Sequence, residues 1–193
     1  MKIAIQLGLL IAAGVLAYFI YDGIQEKIEF RNNAEKRREV VQERLERIVT
    51  AQKEFKNEKG SYAKSFDELI NFLENDSLTI VKAIGNVPDS LTEKEAIERG
   101  IVIRDTTQVP AATIFDQEEL DVRELRYIPF TEKKEFKLQA GEIVKNKVNV
   151  QVFEASAKLG DIYSGLNTEN ENVDPDDVLK VGSMSEPITT GNW

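Results

Sequence analysis

The stretch TAQKEFKNEKGSYAKSFDEL, residues 50–69, decides the fold, because it ends one helical pattern on a glycine and opens another within a few residues. Gly60 follows Lys56 and Lys59, the composition of a helix C-terminus: glycine for a left-handed cap, cations at the negative end of the dipole. Ser65 with Glu68 is a capping box that opens a second helix through Leu69, Ile70 and Leu73. Tyr62 falls between the two helix ends, placed to cover the joint.

Before the joint, no proline interrupts the chain after Asp22 until Pro88, and residues 24–58 are rich in good helix formers. Val41, Leu45, Ile48, Gln52 and Phe55 recur at intervals of 4, 3, 4 and 3, widened by Val49 and Ala51, so this face must bury against something. A short parallel coiled coil has the same spacing. The series lasts only about two heptads before Gly60, short of the three or four that mark a coiled coil, which favours a helix packed on its own head domain. Residues 22–39 carry few apolar side chains (Ile24, Ile28, Phe30, Ala34) and read as a solvated stalk with local charge pairs such as Glu35 with Arg38.

Nearer the start, residues 3–21 read IAIQLGLLIAAGVLAYFIY, uncharged between Lys2 and Asp22. As a helix this run covers about 28 Å, close to the hydrocarbon thickness of a bilayer, with Tyr18 and Tyr21 at the level of an interfacial aromatic belt. A cleaved signal peptide is the competing reading. The run is longer than the usual apolar region of such peptides and no small-x-small site follows it, which favours an uncleaved anchor. The 193 residues hold 25 Lys+Arg against 34 Asp+Glu, net −9, a balance that argues against a nucleic-acid partner. Cysteine and histidine are absent, which removes thiolate chemistry, the commonest general base and the commonest transition-metal ligand. Residues 1–60 carry 11 bases and 9 acids, leaving 14 bases and 25 acids for an acidic head.

An apolar helix extended by an amphipathic half and closing on Ala51, Phe55, Gly60, Tyr62, Ser65 and Leu69 resembles the N-terminal part of type IV pilins and of the pseudopilins of type II secretion. The resemblance covers about the first 75 residues. It implies a first helix that anchors the subunit and packs its outer half on a small antiparallel sheet, with subunits bundling their helices. The whole chain, above all the tail KVGSMSEPITTGNW, is also similar to a single-pass membrane family of Bacteroidota that brings no established activity. Two pilin features are missing: Lys2 directly precedes the apolar run where pilins carry a glycine at the cleavage site, and the only polar residue inside the run is Gln6 rather than an early glutamate. Lys27, Arg31, Lys36, Arg37 and Arg38 outnumber the bases before the run, a bias that on its own holds the head in the cytoplasm. Asp22, Glu26, Glu29, Glu35 and Glu39 are interleaved with them, and the resemblance implies a periplasmic head on an inner-membrane anchor.

In the head, residues 78–84 read as a strand ending at Gly85, Thr92 with Glu95 as a capping box for a short helix stopped by Gly100, and residues 101–104 as a strand. Residues 126–130, 135–140, 142–145 and 148–155 then form an antiparallel meander with turns at 131–134 and 146–147, and Pro129 marks an edge. Val148, Val150 and Val152 alternate with Asn149 and Gln151, the pattern of one buried and one wet face, with the stripe of Val41, Leu45, Ile48 and Phe55 as its cover. Residues 167–177 form a loop.

Four features invite a chemical reading, each beside a plainer one. Ser61-Tyr62-Ala63-Lys64 matches the Ser-x-x-Lys of penicillin-binding enzymes, but the companion Ser-Asp-Asn and Lys-Thr-Gly elements are absent and the tetrapeptide lies in the joint. Asn170, Asn172, Asp174 and Asp176 place oxygens two apart, as calcium loops do, and the major pseudopilins similarly hold calcium in a C-terminal loop; without the EF-hand glycine and terminal glutamate, a solvated acidic loop is the plainer reading. Glu135 and Glu142 are a conceivable carboxylate pair or two wet strand residues. Trp193 is either a docking handle or tucked against the head.

The sequence therefore predicts an α+β protein in which a long N-terminal transmembrane helix continues into an amphipathic helix packed on a small antiparallel sheet, pilin-like, with an anchor at 1–21, a stalk at 22–40 and a head at 41–193. It predicts no enzyme and no cofactor beyond the calcium that Asn172, Asp174 and Asp176 could take. The expected role is a membrane-anchored structural or assembly subunit of a bacterial envelope complex, with a bitopic scaffold on a short coiled coil as the alternative and a tethered enzyme the least favoured. Its expected partners are the membrane, other envelope proteins and itself, through Gly8, Ala12, Ala13 and Gly14 in the bilayer, Ile24 and Ile28 on the stalk, and Trp193.

Overall fold

A computed structural model describes residues 2–84, 92, 95, 103–115, 121–168 and 171–193. The protein is α+β. One helix, α1, runs unbroken from Lys2 to Lys59, 58 residues or about 87 Å. The cap is the expected one: Gly60 has φ +80° and its N–H donates to Lys56 O at 2.8 Å. The second helix, α2 (Phe66–Asn75), starts at Ser65, whose Oγ accepts from Glu68 N–H at 3.3 Å. Glu68 returns its carboxylate to Lys64 N–H at 2.8 Å, one residue earlier than in a standard box.

Gln52 explains why a polar residue stands in the apolar stripe. Fully buried, its Nε2 donates to Ala63 O at 3.0 Å and its Oε1 accepts from Ala63 N–H at 2.9 Å. Both backbone groups of a buried joint residue are thereby satisfied, and the chain turns back on α1. Phe55 then meets Phe72 of α2 edge-on at 5.2 Å, and the Tyr62 ring lies 4.6 Å from Phe153 with the Lys56 ammonium over it. Val41, Leu45 and Ile48 are completely buried, so the stripe packs on the chain's own head.

The strands form two sheets, where the sequence suggested one meander. β1 (Ser77–Ile84) and β2 (Ile103–Pro110) make an antiparallel ribbon, while β3 (Lys137–Lys145), β4 (Val148–Lys158) and β5 (Val178–Gly182) make an antiparallel sheet in the order β3-β4-β5. The capping box of Thr92 and Glu95 is formed, with N–H bonds at 2.9 and 3.4 Å, while the helix expected from it, Gly85 and Gly100 lie outside the described residues. Residues 126–130 are not a strand: a 3-10 turn (Val122–Arg126) leads to a single bridge between Tyr127 and Glu135, and Pro129 sits in a turn with Phe130 at φ 65°. The two short strands expected at 135–140 and 142–145 are one strand. Gly141 does not break it; it makes room for Met184, whose Cε would lie 3.3 Å from an added Cβ. The turn at Asn146-Lys147 is as expected, both residues at positive φ (53° and 66°), as a type I′ hairpin requires.

The buried face of β4 is the opposite of the one the valines suggested. Phe153, Ala155 and Ala157 join the core against α1 and α2, whereas Val152 is buried outside that cluster and Val148 stands in water. Because successive side chains alternate, the Val148-Val150-Val152 row belongs to the outer face. After β4, a helical turn α3 (Leu159–Ile162) carries the chain down α1. The Arg37 guanidinium donates to Ile162 O (3.1 Å) and Ser164 O (2.7 Å), Phe30 meets Tyr163 at 6.0 Å, and Asn167 donates to Glu26 at 2.7 Å. The packed part of α1 therefore begins well inside the stretch read as solvated stalk. β5 was not expected. It holds Gly182 at φ +73°, where an added Cβ would lie 2.2 Å from Phe153 O, so no other residue fits.

Gln52→Leu should lower stability by about 2–4 kcal/mol, because it strands a buried N–H and a buried C=O of Ala63. Urea denaturation of the full chain in detergent, followed by near-UV circular dichroism, measures the loss.

Candidate functional site

The most distinctive surface feature is where the tail meets α1. Val181 bridges Gly191, Gly182 N–H donates to Thr190 O at 3.1 Å, and the Asn192 side chain accepts from Lys180 N–H (2.9 Å) and donates to Val178 O (2.9 Å). These bonds bring Trp193 to α1, folded over Gly191 so closely that a Cβ there would lie 2.3 Å from the indole. Trp193 is 42% exposed and lines an open groove of about 580 Å³ with Phe30, Ala34, Tyr163, Arg31 and Arg38. The indole is thus tucked against the tail and α1 while part of it stays open to solvent.

The other candidates are scattered. Ser61 to Lys64 is not helical, Tyr62 and Ala63 are buried, and Lys64 faces water, so a serine and lysine one helical turn apart are not presented. Glu135 pairs with Arg126 at 3.4 Å, while Glu142 lies opposite Gln151, about 20 Å further along extended chain, too far to share a substrate. In the acidic loop, Asp174 accepts from Asp176 N–H at 2.9 Å and Asp176 pairs with Lys158 at 2.8 Å, both on the surface. Asn172 is exposed beside them. Among the described residues no three acidic side chains converge as a metal site. Asn170 lies outside them.

The interaction residues separate into two faces. At about 100° per residue, Gly8 and Ala12 lie on the side of α1 that carries the head higher up, with Phe30 and Arg37, whereas Ile24 and Ile28 lie about 160° round the helix. Ile24 and Ile28 are 53% and 46% exposed, and a Cβ added at Gly8 would meet open space within 4 Å beyond its own helix backbone. They do not form one stripe. The contacts that tie the head to the lower helix, Arg37 to α3 and Asn167 to Glu26, span more than 120 residues and leave no sequence signal; Gln52 was visible as the one polar position in the stripe.

Within α1 lies one segment long and apolar enough to cross a membrane by length and composition, none of it buried in the head. The class defined is thus an α+β head carried on a helix with an apolar root. No protein family, curated protein or solved structure matches the chain.

Gly191→Ala should expel the only tryptophan from its place on the tail, and a red shift of its fluorescence with easier iodide quenching reads this directly. The Lys158 ammonium lowers the Asp176 carboxyl below its ordinary value. Whatever the pair contributes is therefore present above the unfolded carboxyl pKa of about 3.9 and fades as pH falls through the lowered one. In Lys158→Met, carboxylate NMR should find Asp176 titrating at a higher pH than in the parent.

Proposed function

We propose that the chain is a non-enzymatic, single-pass inner-membrane protein with a periplasmic head, a pilin-like structural or assembly subunit of a bacterial envelope complex. One observation carries this reading: α1 passes without a break from its apolar root into a helix whose outer half is roofed by its own sheet. That is the arrangement implied by the resemblance to pilins and pseudopilins. The acidic composition of the head suits a soluble domain beside an anionic bilayer.

The scaffold reading keeps only part of its basis. Its coiled-coil seam would be Val41, Leu45 and Ile48, and these are committed to the head. What supports helix-to-helix contact is the exposed pair Ile24 and Ile28, on the flank facing away from the head and adjoining the apolar run. Self-association through that flank and association through the Gly8–Ala12 flank would involve different neighbours, so a subunit could touch two others at once.

The parent has no cysteine, so single cysteines at Ile24, Ile28, Gly8 or Ala12 report contacts without background. Oxidative cross-linking in native membranes should give dimers from Ile24→Cys and Ile28→Cys; monomers at all four positions would sink the assembly reading. Protease added to intact spheroplasts should remove the head, and protection until lysis would place it in the cytoplasm instead.

A further inference from the structure

The edges of an antiparallel sheet present rows of unpaired N–H and C=O groups and decide what the sheet can accept. Three edges here are guarded in some measure. Thr79 N–H on the outer edge of β1 is taken by Glu58 Oε1 at 3.0 Å, β2 ends on Pro110, and β5 is bridged by the tail at Gly191. β3 differs. It is the outer strand of its sheet for nine residues, and among the described residues no backbone group outside the β3–β4 pairing bonds to it.

The two-residue turn makes Lys145 and Val148 a hydrogen-bonded pair, so the odd-numbered residues of β3 bond β4. The N–H groups of Leu138, Ala140, Glu142 and Val144 point off the free edge. Leu138 and Ala140 share the core side of the sheet with Ala155 and Phe153, yet they are only half buried where their partners are fully buried. The core face stops one strand short. At the outer end Val144 and Val148 are 73% and 60% exposed, on a hairpin that runs about 16 Å past the contact of Phe153 with Tyr62 at the end of α1.

Charge limits the occupant. Lys137, Lys145 and Lys147 stand along this margin against Glu142 alone and have no ion partner among the described residues, in a chain whose residues 61–193 carry 14 bases and 25 acids. A second copy standing the same way up would bring its own lysines opposite these, which is repulsive. Anionic lipid offers charge but no ladder of N–H and C=O groups.

We propose that the free edge of β3 is a strand-addition site for an extended segment of a different protein, acidic and alternately apolar. Main-chain bonds to residues 138, 140, 142 and 144 supply affinity, apolar residues of the segment cover Leu138 and Ala140, and its carboxylates meet Lys137 and Lys145. The site is independent of which side of a membrane the head occupies.

The probe is a nine-residue peptide alternating glutamate with valine or threonine, added to the full chain in detergent micelles and followed by amide hydrogen exchange. Exchange at 138, 140, 142 and 144 should slow at least tenfold. The slowing should vanish in Glu142→Pro, which removes an outward N–H without a ladder bond, with the β4 amides still protected as the check on folding. A peptide N-methylated at alternate residues should fail on the parent protein, which tests the same bonds without a mutation. The proposal is overturned by unchanged exchange, by equal slowing with lysine in place of glutamate, by slowing that grows with protein concentration alone, or by slowing from phosphatidylglycerol vesicles without peptide.

Discussion

Two hydrogen bonds between the Gln52 amide and the backbone of Ala63 hold the structure together at its turning point. A glycine cap ends a helix, but it does not say where the chain goes next. The amide does, because a buried carboxamide and a buried peptide group leave each other unsatisfied unless they meet face to face. Once Ala63 is held against α1, the capping interactions of Ser65 and Glu68 open α2 there, the far end of α2 returns to the end of α1 where Asp76 pairs with Lys59 at 2.7 Å, and Tyr62 is delivered to Phe153 of the sheet. Phe55, Phe72 and Leu73 close the gap between the helices.

Local chemistry was legible in the sequence wherever one residue type has one physical use. The cap at Gly60, the opening of α2 at Ser65, the turn at Asn146-Lys147 and the stripe from Val41 to Ile48 are all determined within a few residues of themselves. The errors fall where pairing decides. Period-two alternation marks a strand with two unlike faces but does not say which face meets the helix, and Phe153, Ala155 and Ala157 outweigh the three valines because they lie under α1. Gly141 carries no local sign of being a seat for Met184, some forty residues later. β5 is short and flanked by acidic and small residues, and its pairing with β4 is set by the turn through α3.

The candidate site was legible in pieces. Trp193 was picked out by being unique, and its environment depends on Asn192 and Gly191, which look like ordinary tail residues. Asp174 and Asp176 were picked out by spacing, which is blind to Lys158 on the neighbouring strand. The free edge of β3 has no sequence signature at all, since an edge is defined by what fails to pair with it.

The unbroken course of α1 fixes the compass bearing of the head. With no proline between Lys2 and Lys59 and the helix continuous through Gly8, Gly14 and Gly23, the direction in which the sheet projects follows from counting residues from the root. One residue added near Asp22 would swing the head by about 100° and lift it by about 1.5 Å, while seven would return it nearly to its original heading about 10 Å higher. The length of the stem between root and head thus sets both the height and the heading at which the hairpin is presented.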